Sequence, residues 1–382
     1  VTLNGAFNEQ KSPARGFGGA SGTGTGTGAN PTAGGVSRSY QVQAEASWAP
    51  DIWGKIRREI EGAKASAQAS AADLANARLS AQSTLATDYL ELRLMDAQKA
   101  VLTATVDAYA RSLTVTENQY KAGTVPRSDV LQAETTLDNA KASLVDLDTQ
   151  RTASEHAIAV LIGKAPAELT IAPDPNWAPS PPQTPVELPS TLLQRRPDIA
   201  AAERGAASAN AQIGVQVAGY FPNITLSGAY GYGSPQLSKL FDASSSLWSF
   251  GADAVETVFN AGQTSALVRQ AKAARDQAVA NYRQTVLTAF QQVEDNLAAE
   301  RVLQTEAPLR QEAFDAANEA VTVALNEYKA GTVDYTTVAT TQAAALSAKQ
   351  TLLTLEVQRM TTEVSLIEAL GGGWSAAQLP KS

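Results

Sequence analysis

The segment Tyr120-Lys-Ala-Gly-Thr-Val125 occurs again as Tyr328-Lys-Ala-Gly-Thr-Val333, which begins 208 residues further along the chain (328 minus 120). Other pairs at this offset are Gln150-Arg151 with Gln358-Arg359, Ile162-Gly163 with Leu370-Gly371, and Gly54 with Gly262. A constant offset over more than a hundred positions predicts two copies of one structural unit. The chain therefore has an internal repeat in place of two or three unrelated domains.

The strand-like segments at the start of each copy have a larger offset. Val1-Thr-Leu-Asn-Gly-Ala-Phe7 matches Ile224-Thr-Leu-Ser-Gly-Ala-Tyr230, 223 residues further on (224 minus 1). The difference from 208 predicts an insertion in the first copy between residues 8 and 39. The tract at 18–35 is rich in Gly, Ser and Thr, and this composition is typical of a flexible exposed loop.

Residues 40–48 have an alternating pattern that predicts a β-strand. The larger or apolar residues are Tyr40, Val42, Ala44, Ala46 and Trp48, and the polar ones are Gln41, Gln43, Glu45 and Ser47. Similar alternation follows Ile224 and Trp248. Nine residues is close to the roughly 9–11 of a tilted membrane strand, and the aromatic residues lie where an interfacial girdle would place them. Alternation alone also fits a half-buried hairpin of a soluble protein.

Each copy continues with a long segment of helical composition. Residues 54–122 contain no proline, and their Ala, Gln, Glu, Leu and Arg favour a helix of roughly 100 Å. The returning segment 124–162 covers only roughly 58 Å, and the later segment 190–219 adds roughly 45 Å. The sequence therefore predicts one long helix, a shorter returning helix, a Pro-rich connection and a second short helix that completes the return.

The second copy has the long pair of helices but no second short one. The pair is formed by residues 262–330, with a kink expected at Pro308, and residues 332–370. Only eight residues follow Trp374. By pseudo-symmetry the missing helix is expected before Val1. We therefore expect a native chain longer by about 30 residues at its N-terminus, at 1.5 Å per residue of helix.

The composition excludes several classes of protein. The 382-residue chain has a net charge of −8 and no basic tract, which argues against nucleic-acid binding. It has no Cys, and His156 is its one histidine, so disulfides, thiolate zinc sites and a Ser-His-Asp triad are not expected. We expect neither a cofactor nor an enzymatic activity, and no apolar run is long enough for a membrane-spanning helix.

The predicted helices and strands are unsuited to a thick globular core. Faces rich in Ala, Ser, Thr and Gln allow helices to approach closely but bury little apolar surface. Four strands per chain cannot close a barrel, which needs about eight. A ring of three chains would supply twelve strands and a matching ring of helices.

Several ordered motifs carry a resemblance to a known family. They are Leu188-Pro-Ser190, Arg195-Arg-Pro-Asp-Ile199, Ala209-Asn-Ala211, Phe221-Pro222, Trp248-Ser-Phe-Gly251 and Glu368-Ala-Leu-Gly-Gly-Gly-Trp374. This run resembles the outer membrane factor (TolC-like) family. It is most similar to the NodT/OprM-like branch of lipoproteins that serve resistance-nodulation-division (RND) efflux pumps. The resemblance covers essentially the whole chain.

The resemblance implies a mainly α fold with a β-barrel part. Family members are homotrimers with a twelve-strand outer-membrane barrel continuous with a periplasmic α-helical barrel. On this basis the chain divides into a first β-hairpin (1–50, extracellular loop 8–38), a first helical hairpin (51–162), an equatorial segment (163–189), a short helix (190–220), a second β-hairpin (221–259, extracellular loop 233–247), a second helical hairpin (260–370) and an equatorial tail (371–382). The signal peptide and lipidated Cys of this branch are absent, as expected of an N-terminally truncated chain.

The implied function is transport. The resemblance predicts a porin-like exit duct in the outer membrane of a Gram-negative cell, which conducts small molecules in multidrug efflux. The implied partners are two more copies of the chain, a periplasmic adaptor (membrane fusion) protein, an inner-membrane RND transporter and outer-membrane lipid. An exit duct for type I secretion and a coiled-coil scaffold without a channel stay open as alternatives.

The repeated hairpin tips are the first candidate site. Gly123 and Gly331 lie where a descending helix must reverse, and glycine permits the positive φ of a helix C′ position, while Pro126 suits the first turn of the next helix. The tips also begin with Tyr120 and Tyr328. The resemblance implies that six such tips form the periplasmic gate and adaptor contact, and that Tyr328 and Asp129 help to latch neighbouring helices. The alternative is that the tips are only turns.

An acidic ring at the gate is in doubt. Many relatives carry Asp at one or both positions equivalent to Thr337 and Thr340, where this chain has Thr. Asp334 is the nearest other acid. We therefore expect a weaker cation filter at this gate.

The second candidate site is the polar phase of the strands. Gln41, Gln43 and Glu45 share one phase, and Asp253 is related to Glu45 by the offset of 208. Because a charge facing lipid is costly, we expect these residues to line the barrel lumen and to favour cations. Decoration of a solvated face is the simpler alternative.

The third set of residues belongs to the family signature. Its first members are Arg195, Arg196, Pro197 and Asp198, which could bind a phosphate. A role in starting a helix and bonding it to neighbouring segments fits these residue types better. Phe221 and Pro222 precede the next strand and belong to the same signature. No metal site is predicted.

Overall fold

The computed structural model describes residues 1–11, 36–175, 177 and 195–380. Four strands and five α-helices lie in these ranges. In chain order they are β1 (Thr2–Lys11), β2 (Val36–Trp48), α1 (Lys55–Lys121), α2 (Arg127–Leu161), α3 (Pro197–Ala218), β3 (Asn223–Ser234), β4 (Ser246–Val255), α4 (Gln263–Lys329) and α5 (Tyr335–Ala369). The glycine-rich tract 18–35 lies outside the described residues, as do residues 176 and 178–189 of the proposed equatorial segment.

The helix boundaries carry the internal repeat. Adding 208 to the first and last residues of α1 and α2 gives the first and last residues of α4 and α5. Each long helix has 67 residues, or about 100 Å at 1.5 Å per residue. Each returning helix has 35 residues. The two copies therefore keep identical helix lengths although most of their side chains differ.

Two boundaries differ from those expected from the sequence. The third helix begins at Pro197, later than the expected 190, and residues 190–194 are not among those described. Pro126 is the N-cap of α2, with φ −76° and an extended ψ of 160°, so it lies just before the first helical turn instead of within it. Pro308 lies inside α4, which continues past it to Lys329, and the kink expected at this proline stays a prediction.

The four strands form one antiparallel sheet in the order β1-β2-β3-β4. Ala44 of β2 lies opposite Leu3 of β1 and Tyr230 of β3, and Tyr230 lies opposite Trp248 of β4. Because opposed residues in a sheet share a face, these apolar side chains lie on one side. Leu3 and Trp248 are each 79% exposed, so nothing in the described chain covers this face.

The chain folds as two compact units. The first comprises residues 1–63 and 208–276, and the second residues 64–207 and 277–382. In the first unit the Trp53 ring stacks on Phe221 with centroids 4.7 Å apart, and Trp53 Nε1 donates to the Pro222 carbonyl at 2.8 Å. These contacts fix the chain where it enters β3.

The second unit contains most of both helical hairpins. Its buried side chains form small separate clusters, one around Tyr109, Leu137 and Ala140 and another around Val293, Leu366 and Ala369. Small residues on the contacting faces explain why these clusters are thin. Among the described residues, no helix is both long enough and apolar enough to span a membrane.

Candidate functional site at the helix-hairpin tips

The two hairpin tips have the same backbone hydrogen bonds. At the first tip the Gly123 N–H donates to the Tyr120 carbonyl at 2.9 Å, and the Thr124 N–H donates to the Gln119 carbonyl at 3.0 Å. These two bonds define a Schellman motif, which needs a residue of positive φ. Gly123 supplies it with φ 74°.

The second tip repeats this geometry. Gly331 has φ 77°, and its N–H and that of Thr332 donate to the carbonyls of Tyr328 and Glu327, each at 3.0 Å. The Thr124 hydroxyl also donates to the Gln119 carbonyl, and the Thr332 hydroxyl to the Glu327 carbonyl, each at 2.9 Å. The repeated Gly-Thr pair therefore ends each long helix by satisfying its last carbonyl groups.

A buried cluster of side chains joins the two hairpins near their tips. Its members are Ala133, Ala324, Tyr328, Tyr335 and Val338, each at most 3% exposed. The rings of Tyr328 and Tyr335 meet edge to face with centroids 5.5 Å apart. The Tyr328 hydroxyl donates to Thr116 Oγ1 at 3.3 Å, and Thr116 in turn donates to the Ser112 carbonyl at 3.0 Å. The cluster thus links α1 and α2 to α4 and α5.

Burial controls the ionisation of these phenols. Burial raises the pKa of Tyr328, and the nearby Asp129 carboxylate raises it further, while the hydrogen bond with Thr116 opposes the change. Burial likewise raises the pKa of Tyr335. Both phenols therefore remain protonated throughout the physiological pH range.

The two repeat-related tyrosines have different environments. Tyr328 is 2% exposed, whereas Tyr120 is 44% exposed. The repeat relates Tyr328 to Tyr120 and Thr116 to Ala324. Because alanine has no hydroxyl, Tyr120 cannot make the equivalent hydrogen bond. The residue equivalent to Tyr335 is Arg127, which offers no second ring. The chain therefore builds the tyrosine contact at one of its two tips.

The acidic and hydroxyl residues around the tips lie at the surface of the described chain. Asp129 is half-buried in the first turn of α2, close enough to Tyr328 for its charge to act on the phenol. Asp334 is the N-cap residue of α5, and its side chain makes no capping bond. Thr337 and Thr340 follow on exposed positions, and the Thr340 hydroxyl donates to the Thr336 carbonyl at 2.6 Å.

The predicted lumen residues share one face of the sheet. Gln41 Nε2 donates to Gln43 Oε1, and Gln43 Nε2 donates to Glu45 Oε1, which forms a ladder along β2. Glu45 lies opposite Ala229, and Asp253 lies opposite Thr225. Because Ala229 and Thr225 are four residues apart in β3, both acids lie on the same face.

The signature residues anchor the start of α3. Arg196 is buried and donates two hydrogen bonds to Asp198, from Nε to Oδ1 at 3.0 Å and from Nη2 to Oδ2 at 2.6 Å. It also donates to the Ala369 carbonyl and to Gln292 Oε1, both at 2.9 Å. These acceptors come from the end of α5 and from α4, so Arg196 and Asp198 tie three helices together. Arg195 is exposed, and Pro197 is fully buried.

Sequence reasoning missed the partners of Tyr328. Neither Thr116 nor Tyr335 belongs to the repeated tip motif: three residues separate Thr116 from the first motif, and one residue separates Tyr335 from the second. A signal was present: at both positions the two copies differ, Thr116 against Ala324 and Tyr335 against Arg127. Within the described residues, no group of His, Cys, Asp and Glu could hold a metal ion.

Solved structures define the class of protein. The chain superposes on the outer-membrane channel OprN with a TM-score of 0.87 at 29% identity, covering 98% of this chain and 82% of that one. It matches CusC with a TM-score of 0.85 at 27% identity (97% and 83%) and VceC of Vibrio cholerae with 0.83 at 25% identity (97% and 87%). The fold is therefore that of a TolC-like outer membrane channel, as predicted from the sequence.

The chain belongs to the outer membrane efflux protein family, which it matches over residues 1–164 and 188–372. Its curated relatives include the solvent efflux pump outer membrane protein SrpC of Pseudomonas putida, 33% identical over 90% of this chain and 73% of that protein. Others are the cation efflux system protein CusC of Escherichia coli (29%; 89% and 74%) and the pyoverdine export outer membrane protein OpmQ of Pseudomonas aeruginosa (28%; 97% and 76%). These relatives are efflux proteins of the outer membrane, so the predicted transport role and outer-membrane location are confirmed.

Proposed function

We propose that three copies of this chain form the exit channel of a tripartite RND-type efflux system. The channel passively conducts small molecules from the periplasm to the exterior. Its periplasmic end carries the hairpin tips, which act as the gate and as the contact for the adaptor protein. The inner-membrane RND transporter supplies the energy and selects the substrates.

The sheet is the observation that carries this proposal. Its apolar face presents Leu3, Trp48, Trp248 and Phe250, all well exposed, as expected of side chains that contact lipid. Its other face carries the Gln41 to Glu45 ladder and Asp253, as expected of a water-filled lumen. Within the described residues β1 pairs only with β2, and β4 only with β3. Two such open edges call for pairing with further copies in a membrane.

The tips support the gating part of the proposal. Tyr328 and Thr116 add one hydrogen bond to the buried cluster that joins the second hairpin to the first. One bond of this kind contributes about 1 kcal/mol, which is small enough to be broken when an adaptor protein binds. The tips therefore have the weak, specific contact that a switch requires.

The test is a conductance measurement on the purified full chain. We expect it to elute from detergent as a trimer and to open cation-preferring channels in planar lipid bilayers. A protein that remains a monomer, or that leaves bilayer conductance unchanged at any voltage, would contradict the proposal and favour a scaffold. Export of a protein substrate with an ABC-type partner, without small-molecule efflux, would favour type I secretion.

The gate also has a chemical test. Exposed Thr337 and Thr340 replace an acidic ring, so hexamminecobalt(III) added on the periplasmic side is expected to block the wild-type channel little. Introducing Thr337→Asp with Thr340→Asp should create strong block, because three or more carboxylates would then face one another. Strong block of the wild type that Thr340→Ala abolishes and Asp334→Ala does not would overturn the weaker cation filter.

A further inference from the structure

A cavity of about 630 Å³ lies between α1, α4 and α5 in the helical unit, beside the tyrosine cluster. This volume is within the range of small-molecule sites. Its walls are mostly apolar. The apolar and aromatic lining residues are Val101, Val115, Phe314, Val321, Leu325 and Leu346.

The charges that line this cavity all have one sign. Arg111, Lys329 and Lys349 contribute to its wall, and no Asp or Glu does. None of the three forms an ion pair within the part of the chain that the structure describes; Lys349 Nζ lies 4.8 Å from the centroid of the Phe314 ring. In a chain of net charge −8, three such cations around one apolar space are unexpected. They attract an anion and repel a cation.

The cavity also has an unused hydrogen-bond acceptor. Gln342 is 6% exposed, and its Oε1 has no hydrogen-bond partner in the described structure. This residue lines the cavity. A buried polar atom without a partner costs about 1–3 kcal/mol, so a ligand that donates a hydrogen bond here would recover that loss.

We propose that this cavity binds a small aromatic anion. The aromatic body would fill the apolar space against Phe314 and Leu346. The carboxylate or sulfonate group would bind to Arg111, Lys329 and Lys349, and an N–H or O–H of the ligand would donate to Gln342 Oε1. Arginine and lysine bind such groups through charge-assisted hydrogen bonds.

The position of the cavity couples it to the tip contact. Tyr328, which donates to Thr116, also lines the cavity. A ligand that holds this wall in place therefore stabilises the closed arrangement of the hairpins. By linkage, a channel opened by other means binds the ligand more weakly.

The test uses 1-anilinonaphthalene-8-sulfonate as the probe and the full chain in lipid nanodiscs, with empty nanodiscs subtracted. N-phenyl-1-naphthylamine, which shares the ring system but has no charge, is the neutral comparison. We expect saturable binding of the sulfonate and a dissociation constant about tenfold higher in Lys349→Met, the loss of one charged hydrogen bond. Gln342→Leu is expected to weaken binding as well, because the probe's anilino N–H loses its acceptor.

The repeat supplies a matched control. Lys141 is related to Lys349 by the offset of 208, lies at the surface and pairs with Asp138 at 3.0 Å. Lys141→Met should leave probe binding unchanged. Equal affinity in wild type and Lys349→Met, or an equal loss in Lys141→Met, would overturn the proposal.

A variant that fills the cavity keeps the proposal testable if Lys349→Met does not assemble. Ala345→Phe should abolish sulfonate binding, and continued binding would overturn the site. Neutral-probe binding as tight as sulfonate binding would also overturn it, because the charges would then have no role. If the protein conducts normally but binds no sulfonate, the cavity site is wrong and the proposed channel function stands. If it binds the sulfonate but does not conduct, the proposed channel function is wrong and the cavity site stands.

Discussion

Arg151 Nε donates to Asp96 Oδ1 at 2.7 Å, and this contact joins α2 to α1 inside the helical unit. Arg93 Nη1 donates to the other carboxylate oxygen at 2.8 Å, as does the Asp174 N–H at 3.1 Å. The same arginines donate to the carbonyls of Ala172 and Ile171, at 2.9 and 2.8 Å. One buried carboxylate therefore organises two arginines and the chain that follows the first hairpin.

Replacing Asp96 should destabilise the helical unit. Asp96→Asn leaves the buried Arg93 guanidinium without its anion and leaves Arg151 with Glu155 alone, at 3.2 Å. We therefore expect the free energy of unfolding to fall by about 3 kcal/mol. The equivalent position in the second copy is Gln304, which is bonded at the surface to Glu300 at 2.9 Å. Gln304→Ala should change stability by no more than about 0.5 kcal/mol. Equal thermal shifts in the two variants would contradict this role.

The same carboxylate predicts a dependence on acid. Burial opposes its ionisation, but the hydrogen bonds from Arg151, Asp174 N–H and Arg93 outweigh burial, so the pKa of Asp96 is lowered. A lowered pKa gives stability that is complete above the unfolded-state pKa of about 3.9 and is lost as the pH falls through the folded-state value. The difference in melting temperature between wild type and Asp96→Asn should be constant from pH 8 to about pH 5 and shrink below about pH 4. If the difference in melting temperature shrank between pH 8 and pH 6, a group other than Asp96 would be responsible for the pH dependence.

Removing the Tyr328 hydroxyl should favour the open channel. Tyr328→Phe deletes the bond to Thr116 and keeps the ring in place, so the closed state loses about 1 kcal/mol and open probability rises about fivefold. Tyr120→Phe is the control, because this repeat-related hydroxyl is not part of the buried cluster. Single-channel recordings distinguish the two. Unchanged gating in Tyr328→Phe, or equal opening in Tyr120→Phe, would argue against the latch.

The two acids of the sheet should determine ion preference. Glu45→Lys with Asp253→Lys places cations on the polar face, and we expect the reversal potential in a salt gradient to shift towards anion selectivity. Glu9 is a suitable control, since it pairs with Arg38 on the opposite face at 3.3 Å. Glu9→Gln should leave the reversal potential unchanged. If the double lysine variant kept the wild-type value, the polar face would not line the pore.

Glycine at the end of α5 should be harder to replace than its counterpart at the end of α2. Gly163 and Gly371 both have positive φ, 74° and 93°. A Cβ at Gly163 would meet open space, whereas one at Gly371 would collide with the Arg195 carbonyl. We expect Gly163→Ala to cost about 1 kcal/mol from backbone strain alone, and Gly371→Ala about 3 kcal/mol, because packing must also shift. Thermal unfolding of both variants checks the difference, and equal shifts would contradict it.

The repeat made much of this fold predictable from the sequence. The offset that relates Tyr120 to Tyr328 also fixes the helix boundaries, because the turn that ends each long helix depends on local chemistry, namely a glycine of positive φ followed by threonine. Strand faces were predictable for the same reason, since alternation at Gln41, Gln43 and Glu45 is a local property.

Contacts between distant segments were not predictable. Asp96 looks like an ordinary helix residue, and nothing in its neighbourhood indicates that Arg151 and the backbone of Asp174 will surround it. The start of α3 at Pro197 likewise depends on Arg196 reaching acceptors on α4 and α5. Such contacts depend on how helices meet in three dimensions, which the helical pattern of one segment does not encode.

The unequal tips have a consequence for any ring assembled from these chains. In such a ring the Tyr328 bond to Thr116 would join the two tips of each chain, whereas the equivalent bond of Tyr120, whose partner position is Ala324, would be missing between neighbouring chains. The junctions between chains could then part before those within each chain, so dilation would proceed in two stages.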